Sequence, residues 1–289
     1  MTKKTWLISL LLLAGAAYAL QKALPIRGAW VPQEVAPGVY VIHGPKELPS
    51  PQNQGFMNNP AFIVTEQGVV VIDPGSSVQV GEMVLARIDK ITDKPVIAVF
   101  NSHIHGDHWL GNQAIRARYP DTPIYGHERV GPKVIAGAGT EWVELMLRMT
   151  EQATAGTEVV GPDRPVRDGD ELSIGGLTYA VMNNDKAHTD TDIMLHVREL
   201  GVMFLGDNAG HERILRLEGG SFAGNIEALD NAIATGARVF VPGHGPSGGV
   251  EVAQRYRDYL SAVYETATQG VDQGLQAPLG RGHLPFVKQ

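Results

Sequence analysis

Apolar positions along the chain fall into two patterns. Residues 95–100 (PVIAVF), 202–205 and 238–241 form short, nearly unbroken apolar runs. Runs of that length read as strands covered on both faces. Elsewhere the pattern alternates, as in 38–43, where Val39 and Val41 interleave with Tyr40 and Ile42, and that is a strand by its period of two. Two more apolar runs, 61–65 and 69–72, flank Glu66-Gln67-Gly68 and predict a hairpin. A 3.6-residue period places Val80, Val84, Leu85, Ile88 and Ile91 on one face of a helix over 78–91. A helix at 112–118, a short strand at 124–125 and a helical stretch around 141–153 follow. The second half predicts strands at 171–174, 177–182, 192–198 and 201–205, with Gly175-Gly176 and Leu200-Gly201 as turns. A helix at 224–235, the 238–241 strand and a last helix at 250–268 complete it.

Each half therefore offers strands, a helix and then a buried strand that runs into a histidine-bearing loop. The simplest assembly is two sheets face to face with helices outside, an αββα sandwich over residues 36–270, followed by a tail at 271–289. Residues 21–35 show no periodicity. The stretch 44–59 holds three prolines and many turn formers, so it is a loop placed to overhang a site.

The N-terminus does not belong to this pattern. Lys3 and Lys4 precede an apolar run from Trp6 to Ala17, and Ala17-Tyr18-Ala19 supplies the small-x-small pattern of signal peptidase sites. The run is short of the ~20 residues a bilayer span needs. Residues 1–19 are thus expected to be a cleaved signal peptide, with an uncleaved anchor as the alternative, and the mature chain periplasmic or secreted. A net charge of −7 without a Lys/Arg run argues against a nucleic-acid footprint. The chain has no cysteine, so a metal can be held only by histidines and carboxylates.

The chemistry concentrates in His103-x-His105-x-Asp107-His108, four ligand-type side chains at the end of the 95–100 strand. His103 and His105, two apart, share a side of an extended backbone, and Gly106 lets the chain turn so that Asp107 and His108 aim at a neighbouring point. Such crowding loses solvation and repels itself unless a cation is bound. Three more segments present a ligand-type residue at a strand end: Ala187-His188-Thr189, Gly206-Asp207-Asn208 and Pro242-Gly243-His244-Gly245. His43, His127, His196 and His283 stand alone and read as structural or surface residues, His211 is a candidate for the pocket wall, and Trp109 reads as packing.

In order and spacing, these segments resemble the metallo-β-lactamase superfamily over most of the chain beyond its N-terminal segment. The resemblance implies a four-layer αββα fold of two mixed sheets. It implies one metal at His103, His105 and His188, a second at Asp107, His108 and His244, and Asp207 bridging them. It also gives Asp73 a supporting role toward a ligand histidine, against the plainer reading of a turn-forming Asp before Pro74-Gly75. The cofactor expected is two Zn2+, with iron or manganese as alternatives. A metal-activated water attacks the substrate, and Asp107 orients it and passes its proton on.

An aspartate at 207 sets the chain apart from lactamases with a thiolate or serine there and resembles thioesterases and lactonases of the superfamily. Residues 245–289 are too few for the helical glutathione-binding domain of glyoxalase II, and the alkyl sulfatase branch is expected to be far longer. The expected activity is hydrolysis of an ester, thioester, lactone or lactam bond in a small molecule. A mononuclear iron persulfide dioxygenase and a β-lactamase are the alternatives. No nucleic-acid partner and no membrane insertion after signal cleavage are expected; oligomeric state and substrate-binding residues are not readable.

Overall fold

A computed structural model describes residues 24–217 and 219–273; the predicted signal peptide, nearly all of the predicted tail and His283 lie outside these. Among the described residues, twelve strands form two mixed sheets. The first sheet runs in the order β1 (Gln33–Ala36), β2 (Val39–Val41), β3 (Ala61–Val64), β4 (Val69–Ile72), β5 (Val96–Asn101), β6 (Ile124–His127) and β7 (Arg164–Val166). It is antiparallel from β1 to β4 and parallel from β4 to β7. The second runs β12 (Val239–His244), β11 (Val202–Gly210), β10 (Met194–Val197), β9 (Leu177–Met182) and β8 (Glu171–Ile174), parallel only between β11 and β12.

Both faces of the central strands are covered, which is why they read as unbroken apolar runs. Within β4, Val70 and Ile72 enter the core between the sheets, while Val69 and Val71 face outward. Within β11, Val202 and Phe204 point inward, and Met203 and Leu205 outward. The inner core joins Ile63, Ala98 and Phe100 of the first sheet to Tyr179, Leu195 and Val241 of the second. On the outside of the first sheet lie α1 (Val78–Ile88) and α3 (Asn112–Arg118), through Val80, Val84, Ile88 and Ile115. On the outside of the second lie α6 (Phe222–Ala234) and α7 (Glu251–Asp272), through Leu229, Ala232, Tyr256 and Leu260. The fold is thus the four-layer αββα sandwich, and the core needs no disulfide at this size.

The structure departs from the sequence reading at five places. β1 forms in the 21–35 lead-in, and β7 forms around Pro165; both are short, partly exposed edge strands, where polar residues and proline are tolerated. The helix expected at 141–153 is a bent unit: α4 (Val130–Lys133), a wide turn at Val134–Ala138 with Gly137 at φ 128°, then α5 (Gly139–Met149). Between β5 and α3, the ligand motif itself winds into a single turn, α2 (Gly106–Trp109). Finally, β11 does not stop at 205 but continues to Gly210, because irregular pairing with β12 bridges the Gly206 bend.

Candidate metal centre

The histidine-rich motif leaves the end of β5, and His188 comes from the loop between β9 and β10. Asp207 sits within β11 rather than after it, and His244 ends β12. All four positions open on the same edge of the sandwich. There the structure brings the seven side chains into two groups, His103, His105, His188 and Asp207, and Asp107, His108 and His244, with ligand atoms of each group within 4.8 Å of one another. In the first group, His188 Nε2 lies 3.1 Å from His105 Nδ1 and 3.6 Å from Asp207 Oδ2, and His103 Nε2 lies 3.9 Å from the same oxygen. In the second, His108 Nε2 is 3.4 Å from Asp107 Oδ2, and His244 Nε2 is 3.3 Å from it. Asp207 reaches this group too, with Oδ1 3.2 Å from His108 Nε2 and Oδ2 3.4 Å from His244 Nε2. Donors held about 2.0–2.1 Å from a tetrahedral zinc lie about 3.3 Å apart, so this spacing fits such a cation.

A second observation supports the fit. His103 Nε2 and His108 Nε2 are fully buried with no hydrogen-bond partner, an expensive state for an imidazole nitrogen unless a cation takes it. The cause is a network on the far side of both rings. The carboxylate of Asp73, itself 4 % exposed, accepts from Ser102 N at 2.7 Å, Ser102 Oγ at 2.7 Å and His108 Nδ1 at 2.8 Å. Ser102 Oγ in turn accepts from His103 Nδ1 at 2.9 Å. One carboxylate therefore places the proton on Nδ1 of a histidine in each group and turns both Nε2 lone pairs into the site. His244 is set the same way, its Nδ1 donating to Met57 O at 2.8 Å.

The electrostatics of the metal-free protein divide the two groups. Burial, reinforced by the neighbouring imidazoles, lowers His103 well below the usual histidine range and brings His188 to about 3. Burial also opposes charge on His108, but Asp207, Asp107 and Asp73 outweigh it and raise its pKa well above the ordinary value. His244 is raised for the same reason by Asp207 and Asp107. The same pairs overcome burial at Asp107 and Asp207 and hold both well below the usual carboxylate range. Close approach depends on glycine at one point above all: a Cβ on Gly243 would lie 2.0 Å from Asp207 Oδ1.

Several supporting residues were not legible in the sequence. Asn59 Nδ2 donates to Pro242 O at 2.9 Å and to Gly245 O at 2.7 Å, clamping the His244 turn, and Asn58 Nδ2 donates to Asp73 O at 3.0 Å. Asp192 staples the His188 loop by accepting from Thr189 N and Oγ1; burial, with the charge of Asp207 adding to it, outweighs those bonds and pushes its pKa to about 7. His211 does not reach the centre; its Nδ1 bonds Pro246 O. His43 pairs with Ser247, and Trp109 is buried in a core cluster with Leu110, Val130 and Met146. A cleft of about 490 Å³ opens above His105, Asp107, His188, Asp207 and His244. Its walls come from the 44–59 loop, α5 and the 211–217 loop.

A sequence model of the metallo-beta-lactamase superfamily matches residues 54–244, and the chain belongs to that superfamily. A linear primary-alkylsulfatase of Pseudomonas sp. is 25 % identical over 274 aligned residues, covering 79 % of this chain and 52 % of that protein. This chain thus spans about half the length of that relative, from a branch set aside above on length alone. A hydroxyacylglutathione hydrolase of Acaryochloris marina is 30 % identical over 77 residues, 26 % of this chain and 28 % of that protein. Among solved structures, a metallo-beta-lactamase from Pontibacter korlensis superposes with a TM-score of 0.62 at 18 % identity, covering 80 % of this chain and 98 % of that one. A sec-alkylsulfatase of Pseudomonas sp. gives 0.67 at 15 % identity, covering 90 % of this chain and 48 % of that one. The superfamily is therefore the class to which this fold and His/Asp cluster belong, and the curated relatives named here are hydrolases of small molecules.

Proposed function

We propose that the chain is an exported hydrolase that holds two zinc ions and cleaves an ester, thioester, lactone or lactam bond in a small molecule. Asp207 stands between the two donor groups. The observation that carries this reading is the pair of buried Nε2 atoms of His103 and His108, without hydrogen-bond partners and at ligand spacing, grouped with residues that line an open cleft, His105, Asp107, His188, Asp207 and His244. Zinc bound there supplies Lewis acidity and lowers the pKa of a coordinated water to about 7. The remaining work falls to the chain's own residues. Asp107 is ionised at neutral pH and lines the cleft, so it aligns the attacking water, accepts its proton and returns that proton to the departing atom. Asp73, Ser102 and Met57 O hold the ring tautomers that keep the donors facing inward.

The test is metal analysis of the purified protein alongside a panel of esters, thioesters, lactones and β-lactams. We expect two zinc equivalents and hydrolysis that a chelator removes and zinc restores. A single iron with oxygen consumption on persulfides would replace the reading with a dioxygenase. Sulfate esters belong in the same panel as a second reading, favoured by the alkylsulfatase match across most of the chain.

A further inference from the structure

The cleft above the metal centre is two-sided in its chemistry. One wall is α5, which presents Trp142, Leu145, Met146 and Met149 to the cavity. Seven steps from Trp142 to Met149 at ~1.5 Å rise make this wall about 10 Å long. It begins beside the metal centre: Trp142 packs its ring 5.2 Å from that of His105, and a Cβ on Gly106 would lie 2.7 Å from Trp142 Cβ. At the mouth, Leu48 and Ile214 line the same cleft while 54 % and 69 % exposed. They sit on two loops joined by the ion pair between Lys46 and Glu212. The Leu48 and Ile214 side chains carry the apolar lining of the α5 wall out to the mouth of the cleft.

The two loops that close the cleft also bring cations to it. Arg213 is half-buried and lines the cleft, and no carboxylate among the described residues pairs with it. Its Nη1 lies 3.2 Å from His244 Nδ1, but that nitrogen already carries the proton donated to Met57 O. Two donors facing each other make no hydrogen bond. The Arg213 guanidinium thus lines the cleft beside His244 with no acceptor paired to it among the described residues. Arg216 and Lys46 line the same cavity, with Glu141 as its acid beyond the metal centre.

We propose that this cleft is a subsite for a singly anionic amphiphile: Arg213 takes the negative charge beside the metal centre, and a linear apolar arm lies along Trp142, Leu145 and Met149 and leaves between Leu48 and Ile214. The inference deepens the hydrolase reading and names the substrate class of the same centre, an ester whose non-reacting part is a flexible apolar chain.

Binding can be separated from turnover with alkyl sulfonates, which carry the anion and the chain but no hydrolysable bond. Titration of hexane-, octane- and decanesulfonate into the zinc-loaded full chain, read by calorimetry, should show affinity rising by up to about fourfold per methylene. The rise should level off once the chain outgrows the α5 wall, and the heat-capacity change should be negative. Arg213→Met should weaken every sulfonate by about ten- to hundredfold and leave the uncharged alcohol of the same chain unchanged. Met149→Glu should flatten the chain-length dependence while both metals stay bound, which separates a lost wall from a misfolded protein. Affinity independent of chain length, or an Arg213→Met variant that binds sulfonates like the unaltered protein, would overturn the proposal. If sulfonates bind as described and no ester in the panel is hydrolysed, the subsite stands and the hydrolase reading falls; hydrolysis without chain-length dependence gives the reverse.

Discussion

Replacing Asp73 discriminates between two explanations of the same residue. Its backbone φ is +50°, in the left-handed region that Asp and Asn tolerate and glycine prefers. If Asp73 served only to turn the chain before Pro74-Gly75, Asp73→Gly should be neutral or slightly stabilising. The side chain indicates otherwise. It accepts three buried hydrogen bonds at 2.7–2.8 Å, and its loss leaves Ser102 N–H and His108 Nδ1–H without an acceptor. Each such loss, with a charged acceptor, is worth about 1.5–3 kcal/mol, so Asp73→Gly should cost about 3–6 kcal/mol of stability. Because His108 is oriented directly and His103 through Ser102 Oγ, affinity should fall at both groups, by about 10–100-fold as for other outer partners of metal ligands. Thermal unfolding of the zinc-loaded protein and competitive zinc titration read the two effects. An Asp73→Gly protein with unchanged melting temperature and two tightly held zinc ions would refute the relay and leave the turn as the whole explanation.

Other expected outcomes follow from the same geometry. Asp107→Ala should abolish turnover in a protein that stays folded, because the cleft floor loses a donor and its proton carrier; normal turnover would place the catalytic group elsewhere. Gly243→Ala drives a methyl to within 2.0 Å of Asp207 Oδ1, so it should deplete both metals while secondary structure, read by circular dichroism, persists. Acidification should empty the two groups in order. Raised pKa values at His108 and His244 mean protons compete with metal there as pH drops through the neutral range, whereas lowered values at His103 and His188 keep those nitrogens bare. Metal content followed from about pH 8 to pH 6 should therefore fall first at the Asp107, His108 and His244 group; simultaneous loss would contradict the electrostatic asymmetry.

What could be read in advance depends on whether a feature is local or tertiary. The 69–72 and 95–100 runs declared themselves because both faces are buried, and helices α1 and α3 because one face is, although α1 stops at Ile88 and leaves Ile91, expected on its buried face, exposed. The ligand-type residues were visible because a cation site demands an unusual density of histidine and carboxylate. By contrast, β1 and β7 exist through pairing with a neighbour at a sheet edge, and no periodicity marks them. Gly206-Asp207-Asn208 has the composition of a turn, and only pairing with β12 keeps it in a strand. The cleft was illegible for a related reason. Trp142 and Met149 look like any amphipathic helix face, and Arg213 sits in a stretch with no pattern; their meaning comes from the loops that close around them.

The fold also explains why so many polar groups can be buried on one edge. His103, His108, His188, Asp107, Asp207 and His244 are each no more than 5 % exposed, and leaving such groups buried without partners would unfold a marginally stable domain. Strand ends supply the remedy, since the rigid sheets fix where each loop starts and backbone groups satisfy the outward nitrogens. Folding thus holds the inward donors open, and a cation completes them. The consequence is an asymmetry between two ways of emptying the centre. Removing the metals lets His108 and His244 take up protons and pair with Asp107 and Asp207, so the metal-free protein keeps its charges matched. Removing one carboxylate leaves buried imidazoles and cations with too little counter-charge, a penalty of about 3–5 kcal/mol for breaking a buried pair. Asp207→Ala should therefore melt lower than the chelated, unaltered protein, and the opposite order would show that the cations, rather than the carboxylates, hold this edge of the sandwich together.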